Sequence, residues 1–208
     1  MAHKSIVIGR HYGSGGYDIG KRLASELGWK FLDKEIVELA AKKGDFNEET
    51  AKKLDESAKG SFLYSIAMGN YSVGTLGGPV YYDLPINDKL FLAQSEIIKE
   101  CAAKEPCVFV GRCADYILSN AGVDHLSVFL YADMDYKIKK VAERFEITDQ
   151  KAKDKITKTE KQRRSYYDYY TNRDWGLMKN YDLCLSTSAL GEDKCFELIK
   201  AAVLEDNK

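Results

Sequence analysis

The chemistry-bearing residues cluster near the start of the chain, in the run Gly9-Arg10-His11-Tyr12-Gly13-Ser14-Gly15-Gly16-Tyr17-Asp18. Glycine permits positive φ and lets successive backbone N–H groups crowd around an anion. Three of the four positions 13–16 are glycine, placed between a short apolar run (Ser5–Ile8) and apolar residues at helical spacing (Ile19, Leu23, Ala24, Leu27). The loop amides are thereby joined by the free N–H groups and dipole of a helix N-terminus. This pattern predicts a phosphate site over Tyr12, Gly13, Ser14, Gly15, Gly16, Tyr17 and Asp18. A turn needed only to pack a strand against a helix would require fewer glycines.

The loop departs from both well-known phosphate signatures. A full P-loop reads G-x-x-x-x-G-K-[ST], its lysine reaching the β/γ-phosphates and its hydroxyl serving Mg²⁺. With Gly15 as the glycine before the lysine, the lysine position is Gly16, followed by Tyr17 and Asp18. A G-x-G-x-x-G reading from Gly13 ends on Asp18 instead of glycine. Lys21 lies beyond the first helical turn. Arg10, at the end of the first strand, is therefore the candidate source of positive charge.

Other arginines stand where they could assist. Arg112 follows an apolar strand (Cys107–Val110), at the carboxyl edge where open α/β sheets bind ligands; a solvated surface arginine is the alternative. Arg144 closes a predicted helix, where it could serve a ligand or only favour the helix dipole. Arg163 and Arg164 fall in a tyrosine-flanked helical segment. There they could close over a transferring phosphoryl group, or simply belong to a solvated charge run, Lys151–Arg164. Asp33 ends the second strand and could hold a substrate hydroxyl or a Mg²⁺-bound water, or cap the following helix. Tyr166, Tyr167, Tyr169 and Tyr170 have the spacing of residues packed on a core, with base stacking as the alternative.

The elements that would position these groups alternate. Strands are predicted at Ser5–Ile8, Lys30–Leu32, Cys107–Val110, His125–Tyr131 and Tyr181–Leu185. Helices are predicted after the glycine loop to Gly28, over Lys34–Lys42, from an Asn47 cap to about Lys59, and over Asp88–Lys104. Further helices fall at Arg112–Asn120, Asp133–Phe145 and Glu192–Leu204. Short, nearly continuous apolar strands between helices argue for a parallel sheet covered on both faces. Two stretches break the rhythm, roughly 34–90 and 146–175. Within the first, Gly60–Asp88 is poor in charge and rich in glycine and tyrosine; it could gate substrate entry, form an ordered surface loop or make a dimer contact.

The 208-residue length suggests one domain with inserted lobes, and 31 basic against 32 acidic residues give no support to a nucleic-acid partner. The five cysteines include no CxxC pair, so neither a disulfide framework nor a zinc site is suggested. No apolar window approaches the ~20 residues that span a bilayer, and no signal-like segment precedes the first strand; a cytoplasmic location is expected.

The order of these pieces resembles the cytidylate kinase-like family, a branch of the P-loop nucleoside monophosphate kinases. The carrying residues are Ile6-Val7-Ile8-Gly9-Arg10 with Tyr12-Gly13-Ser14-Gly15-Gly16, then Leu32-Asp33 and Val110-Gly111-Arg112-Cys113-Ala114-Asp115. Glu143-Arg144 follows, with Arg163, Tyr166-Tyr167, Tyr170-Thr171, Trp175-Gly176 and Tyr181-Asp182-Leu183. The resemblance implies an α/β P-loop NTPase-type three-layer sandwich with a five-stranded parallel sheet. It divides a single domain into a core (1–33, 91–145, 176–208), a nucleotide-monophosphate-binding-like insertion (34–90) and a lid-like insertion (146–175) bearing Arg163 and Arg164, with Arg144 beside it. It implies ATP with Mg²⁺, a small-molecule nucleotide as partner, and Asp33, Arg112 and Asp115 as substrate-binding residues. Cytidylate kinases carry Gly-Arg-Asp after the third strand, and here Cys113 replaces that aspartate. Phosphoryl transfer carried by Arg10, Arg112 and Arg163 is the expected activity, to a nucleoside monophosphate (CMP-like) or another small acceptor. A nucleotide-binding regulatory protein that has lost catalysis is the alternative, prompted by Gly16. A homodimer is possible.

Overall fold

A computed structural model describes residues 5–44, 47–56 and 84–205. Five parallel strands form one sheet in the order β2-β3-β1-β4-β5: β1 (Ser5–Arg10), β2 (Lys30–Leu32), β3 (Cys107–Val110), β4 (His125–Tyr131) and β5 (Leu183–Ser186). Because side chains alternate along a strand, each central strand feeds two cores. Ile6, Ile8, Val108, Val110, Val128 and Leu130 pack on one face with the helices α1 (Gly16–Leu27) and α9 (Glu192–Glu205). Val7, Phe109 and Phe129 point to the other face, toward α2 (Lys34–Lys43), α4 (Ile86–Lys104) and α5 (Ala114–Asn120). This is the three-layer α/β arrangement expected, and it places the C-terminal ends of β1, β2, β3 and β4 along one edge.

The remaining described helices are α3 (Glu48–Leu54), α6 (Met134–Phe145), α7 (Asp149–Thr171) and α8 (Thr187–Leu190). Asn47 caps α3 as predicted, its side chain accepting from Thr50 N at 3.0 Å. The helix ends at Leu54, where Asp55 leaves the helical conformation (φ −55°, ψ 132°) and Glu56 follows with a left-handed φ of 50°; residues 57–59 of the predicted span lie outside the described residues. Residues 60–83 of the predicted Gly60–Asp88 loop lie outside the described residues, and α4 already begins at Ile86. The helix predicted from Arg112 begins at Ala114, since Gly111, Arg112 and Cys113 all have positive φ (78°, 55° and 56°). Two successive non-glycine residues in that region cost about 1–2 kcal/mol each, a strain that the contacts of Arg112 must offset.

The polar stretch after Glu146 is one long helix, α7. Its buried Ala152, Ile156, Tyr166, Tyr167 and Tyr170 recur at helical spacing and seat it on the rest of the molecule. Among the described residues no helix is long and apolar enough to cross a membrane.

Candidate functional site

The glycine loop connects β1 to α1 along the C-terminal edge of the sheet. Gly13 (φ 85°) and Gly15 (φ 79°) adopt the left-handed conformation that the loop requires, and Gly15 stands at the N-cap of α1. The Ser14 hydroxyl is spent inside the loop, donating to His11 O at 3.0 Å. Tyr12 N donates to Glu160 Oε1 of α7 at 3.1 Å, and the same oxygen accepts from buried Lys137 at 2.8 Å. The long helix is thus tied directly to the phosphate-binding loop.

The missing lysine has a steric explanation. A Cβ at Gly16 would lie 2.8 Å from Arg10 Cβ and 3.1 Å from its Cγ, so the stem of Arg10 fills the space that a side chain at position 16 would enter. Gly16→Lys is therefore expected to lower the melting temperature without gaining activity. A variant that melts like the parent and turns over faster would show that the two residues do not compete for that space.

Arg10 leads into a buried charge cluster. Its Nη1 donates to Glu56 Oε1 at 2.9 Å, while Arg163 Nε donates to Glu56 Oε2 at 3.1 Å and Arg163 Nη1 to Arg10 O at 3.3 Å. Beside them Arg112 donates through Nη1 to Asp33 Oδ1 (2.6 Å) and to Val110 O (3.1 Å), and through Nη2 to Asp55 Oδ2 (2.7 Å). Burial works against the Glu56 carboxylate, but the guanidiniums of Arg10, Arg163 and Arg112 outweigh it and hold Glu56 well below the usual carboxylate range. Burial likewise opposes the charge on Arg112, and Asp55, Asp33 and Glu56 more than offset it, leaving its pKa raised. Arg163 moves the other way, lowered to about 10 by burial and by the like charge of Arg10. Burial raises Asp55 despite Arg112.

Two cavities adjoin this cluster. One is a cleft of about 410 Å³ over the glycine loop, bordered by Arg10, Lys34, Lys140, Arg144 and Arg163. The other is an inner pocket of only about 20 Å³ behind Arg10 and Glu56. Tyr166, Tyr167, Trp175 and Tyr181 wall it, with Arg112 and Asp115. Tyr167 OH donates to Asp115 Oδ2 at 2.6 Å, and burial raises the Asp115 pKa. Tyr166 OH donates to Gln94 Oε1 at 3.0 Å and Tyr170 OH to Asp88 Oδ1 at 2.9 Å, so these tyrosines both pack and carry directed hydrogen bonds.

Of the residues singled out from the sequence, Arg10, Arg163, Arg112 and Asp33 converge here with the loop. Asp33 occupies the N-cap position of α2 but makes no side-chain cap bond; its carboxylate goes to Arg112. Asp115 lines the inner pocket rather than the cleft. Arg144 is exposed at the cleft mouth, 3.6 Å from Asp18 and over the Tyr17 ring at 5.8 Å. Arg164 does not join: it is exposed and lies over Trp175 at 5.9 Å from the ring centre. Tyr17 sets its ring edge against Phe31, 5.4 Å away.

Sequence reasoning missed Glu56, Asp55, Lys137, Lys140 and Glu160. Glu192 was also missed; it crowds Gly15 and pairs with Lys140. Nothing in their local spacing marks them, since each acts through contacts distant in the chain.

The parallel sheet with its glycine loop at the head of α1 defines a P-loop kinase-type fold. A gluconokinase from Sinorhizobium meliloti 1021 shares it with a TM-score of 0.53 at 15% identity, covering 99% of this chain and 95% of that one. An uncharacterized protein from Eubacterium ventriosum ATCC 27560 is more similar, with a TM-score of 0.67 and 25% identity over 95% of this chain and 96% of the other. The sequence profile of the cytidylate kinase-like family matches residues 5–189, and the chain belongs to that family. A cytidylate kinase of Methanopyrus kandleri is 26% identical over 208 residues, 95% of this chain and 92% of its own length. One from Thermococcus kodakarensis is 34% identical over 110 residues, so the match spans about half of either chain, 53% of each.

Proposed function

We propose that this protein is an ATP-dependent phosphotransferase that moves the γ-phosphoryl group to a small acceptor, a nucleoside monophosphate or another small molecule. The observation that carries the reading is the convergence of Arg10 and Arg163 beside a glycine loop whose α1 N-terminus opens on a cation-lined cleft. Loop amides would hold the donor phosphates. The two guanidiniums would neutralise the charge spread over the transferring group, and Arg144 and Lys140 would reach the outer phosphates. Little covalent chemistry is asked of the protein; placement and charge do the work.

The residues fit a Mg²⁺ that arrives with the triphosphate. Asp18 and Asp33 both line the cleft, each already answering an arginine, and among the described residues no three His, Cys, Asp or Glu side chains form a ligand cluster of their own. The ion would supply charge neutralisation between the phosphates.

Two measurements test the proposal: thermal stabilisation by the non-hydrolysable analogue AMP-PNP with Mg²⁺, and ADP release from ATP across a panel of acceptors. Stabilisation with acceptor-stimulated release is the expected result. A specific observation favours a second reading, a nucleotide-binding regulator: Glu56 occupies both arginines at once. It predicts stabilisation without release for any acceptor, whereas the absence of stabilisation defeats both readings.

A further inference from the structure

Four of the five cations bordering the cleft already have a carboxylate partner: Arg10 and Arg163 share Glu56, Lys140 pairs with Glu192, and Arg144 lies 3.6 Å from Asp18. Such a cation can turn to a phosphate at contact, but at a distance its partner cancels most of its field. The cleft itself therefore holds a polyphosphate better than it attracts one.

Uncompensated positive charge stands beside it, on the α6–α7 hairpin. Residues 137–164 hold eleven basic and five acidic side chains, whereas the rest of the chain holds twenty basic and twenty-seven acidic. Lys151, Lys155 and Lys158 recur at i, i+4 and i+7, so they share one face of α7, and all three are exposed. Among the described residues none of the three forms an ion pair. Asp154, the carboxylate between them, accepts from Gln150 at 2.9 Å. Lys155 shows where this face looks: its Nζ lies over the Phe145 ring, 4.3 Å from the centre, and Phe145 lines the cleft beside Arg144. The helix is seated through a neighbouring face, by Ala152 and Ile156 against Val141 of α6 and by Glu160 on the glycine loop. Like charges at helical spacing repel one another, and none of the three lysines joins a described hydrophobic cluster. Stability of the fold does not account for the stripe.

We infer that this lysine stripe captures the anionic donor: its field draws a nucleoside polyphosphate to the cleft mouth and speeds association, and the loop and its arginines then hold what arrives. The inference rests on the donor half of the phosphotransferase reading above and needs no particular acceptor. Fields of this kind raise association rates by about 10- to 10³-fold. Their reach is sufficient here. The screening length is about 8 Å at physiological ionic strength, and Lys155 already packs on a residue of the cleft wall. Capture leaves the bound state as it was, so the stripe acts on association and not on dissociation. It selects by charge alone, favouring a triphosphate over a monophosphate and a monophosphate over a nucleoside.

Stopped-flow mixing of the full chain with the fluorescent analogue mant-ATP and Mg²⁺ tests this, comparing the parent with a triple variant, Lys151→Gln, Lys155→Gln and Lys158→Gln. At an ionic strength of about 0.01 M, where the screening length is about 30 Å, the triple variant is expected to associate about tenfold more slowly. At about 1 M the length falls to about 3 Å and the two rates should converge. Dissociation should stay within about twofold of the parent at both. The matching triple arginine variant keeps the charge and is expected to keep the parent rate. Lys99→Gln with Lys104→Gln, on α4 and outside the cleft lining, should leave the rate alone. Single Lys155→Gln, expected to slow association about twofold, stands in should the triple variant not fold. Parent-like association at low salt overturns the inference, and so does a slowing that persists at high salt. Faster dissociation with unchanged association overturns it as well, by making the lysines direct phosphate ligands. Equal slowing in the α4 variant overturns it by assigning the effect to net charge. A parent that binds no mant-ATP removes the reading beneath it.

Discussion

Replacing Arg10 by alanine is expected to reduce kcat by about 10²–10³-fold, the cost of removing one preorganised charge from a transferring phosphoryl group. The KM for ATP should change by only a few-fold, since the loop amides and the cations at the cleft mouth still hold the donor. The expectation follows from position: the Arg10 stem fills the space beside Gly16, and its guanidinium reaches the boundary between the two cavities. Arg10→Lys should recover little, because a point charge cannot reproduce the planar fork that now spans Glu56 and the edge of Gly111. Steady-state kinetics with the preferred acceptor, together with an AMP-PNP thermal shift to confirm folding, decide the matter. Unchanged kcat in Arg10→Ala would assign the missing lysine's charge to another group.

The features legible in the sequence were those with local signatures. Glycine spacing located the loop, apolar runs located the strands, and the order of motifs carried the five-stranded parallel sheet. Arg10 could be singled out because the gap at Gly16 required a substitute nearby. Where the sequence carries no local signature, the determining contacts are long-range. By spacing Arg112 reads as the first residue of a helix, yet its ion pairs with Asp33 and Asp55 hold it in a left-handed turn before Ala114. Glu56 sits in a short polar segment with no periodicity, and only folding brings it against arginines 46 and 107 positions away. Arg163 and Arg164 are indistinguishable by type. The orientation of α7 directs one into the cluster and the other over Trp175, a difference set by which helix face is buried.

Glu56→Gln carries the second large effect, on stability. The carboxylate bridges Arg10 and Arg163 with all three side chains largely buried, between 10% and 16% exposed, so removing it leaves two neighbouring guanidiniums without their shared counterion. Breaking such a buried pair costs about 3–5 kcal/mol, roughly 6–20 °C in melting temperature for a chain of this size. The sign with pH follows from the lowered Glu56 pKa. A depressed carboxylate contributes its full stabilisation above its unfolded pKa, and loses it as pH falls from there toward the folded value. The parent should therefore lose its advantage over the variant on acidification below the ordinary glutamate range. Asp55 and Asp115, both raised by burial, act in the opposite sense; the Asp115 contribution is common to parent and variant, whereas the Glu56 charge also raises Asp55, so Glu56→Gln relieves part of that shift. Melting curves across pH 3–8 check this, and a gap between parent and variant that stays constant with pH would show that the charge of Glu56 is not what stabilises. ATP binding sharpens the test. If the γ-phosphate takes the place of Glu56 between the arginines, ATP–Mg²⁺ should stabilise Glu56→Gln by more degrees than it stabilises the parent, because the parent must first give up an ion pair that the variant lacks.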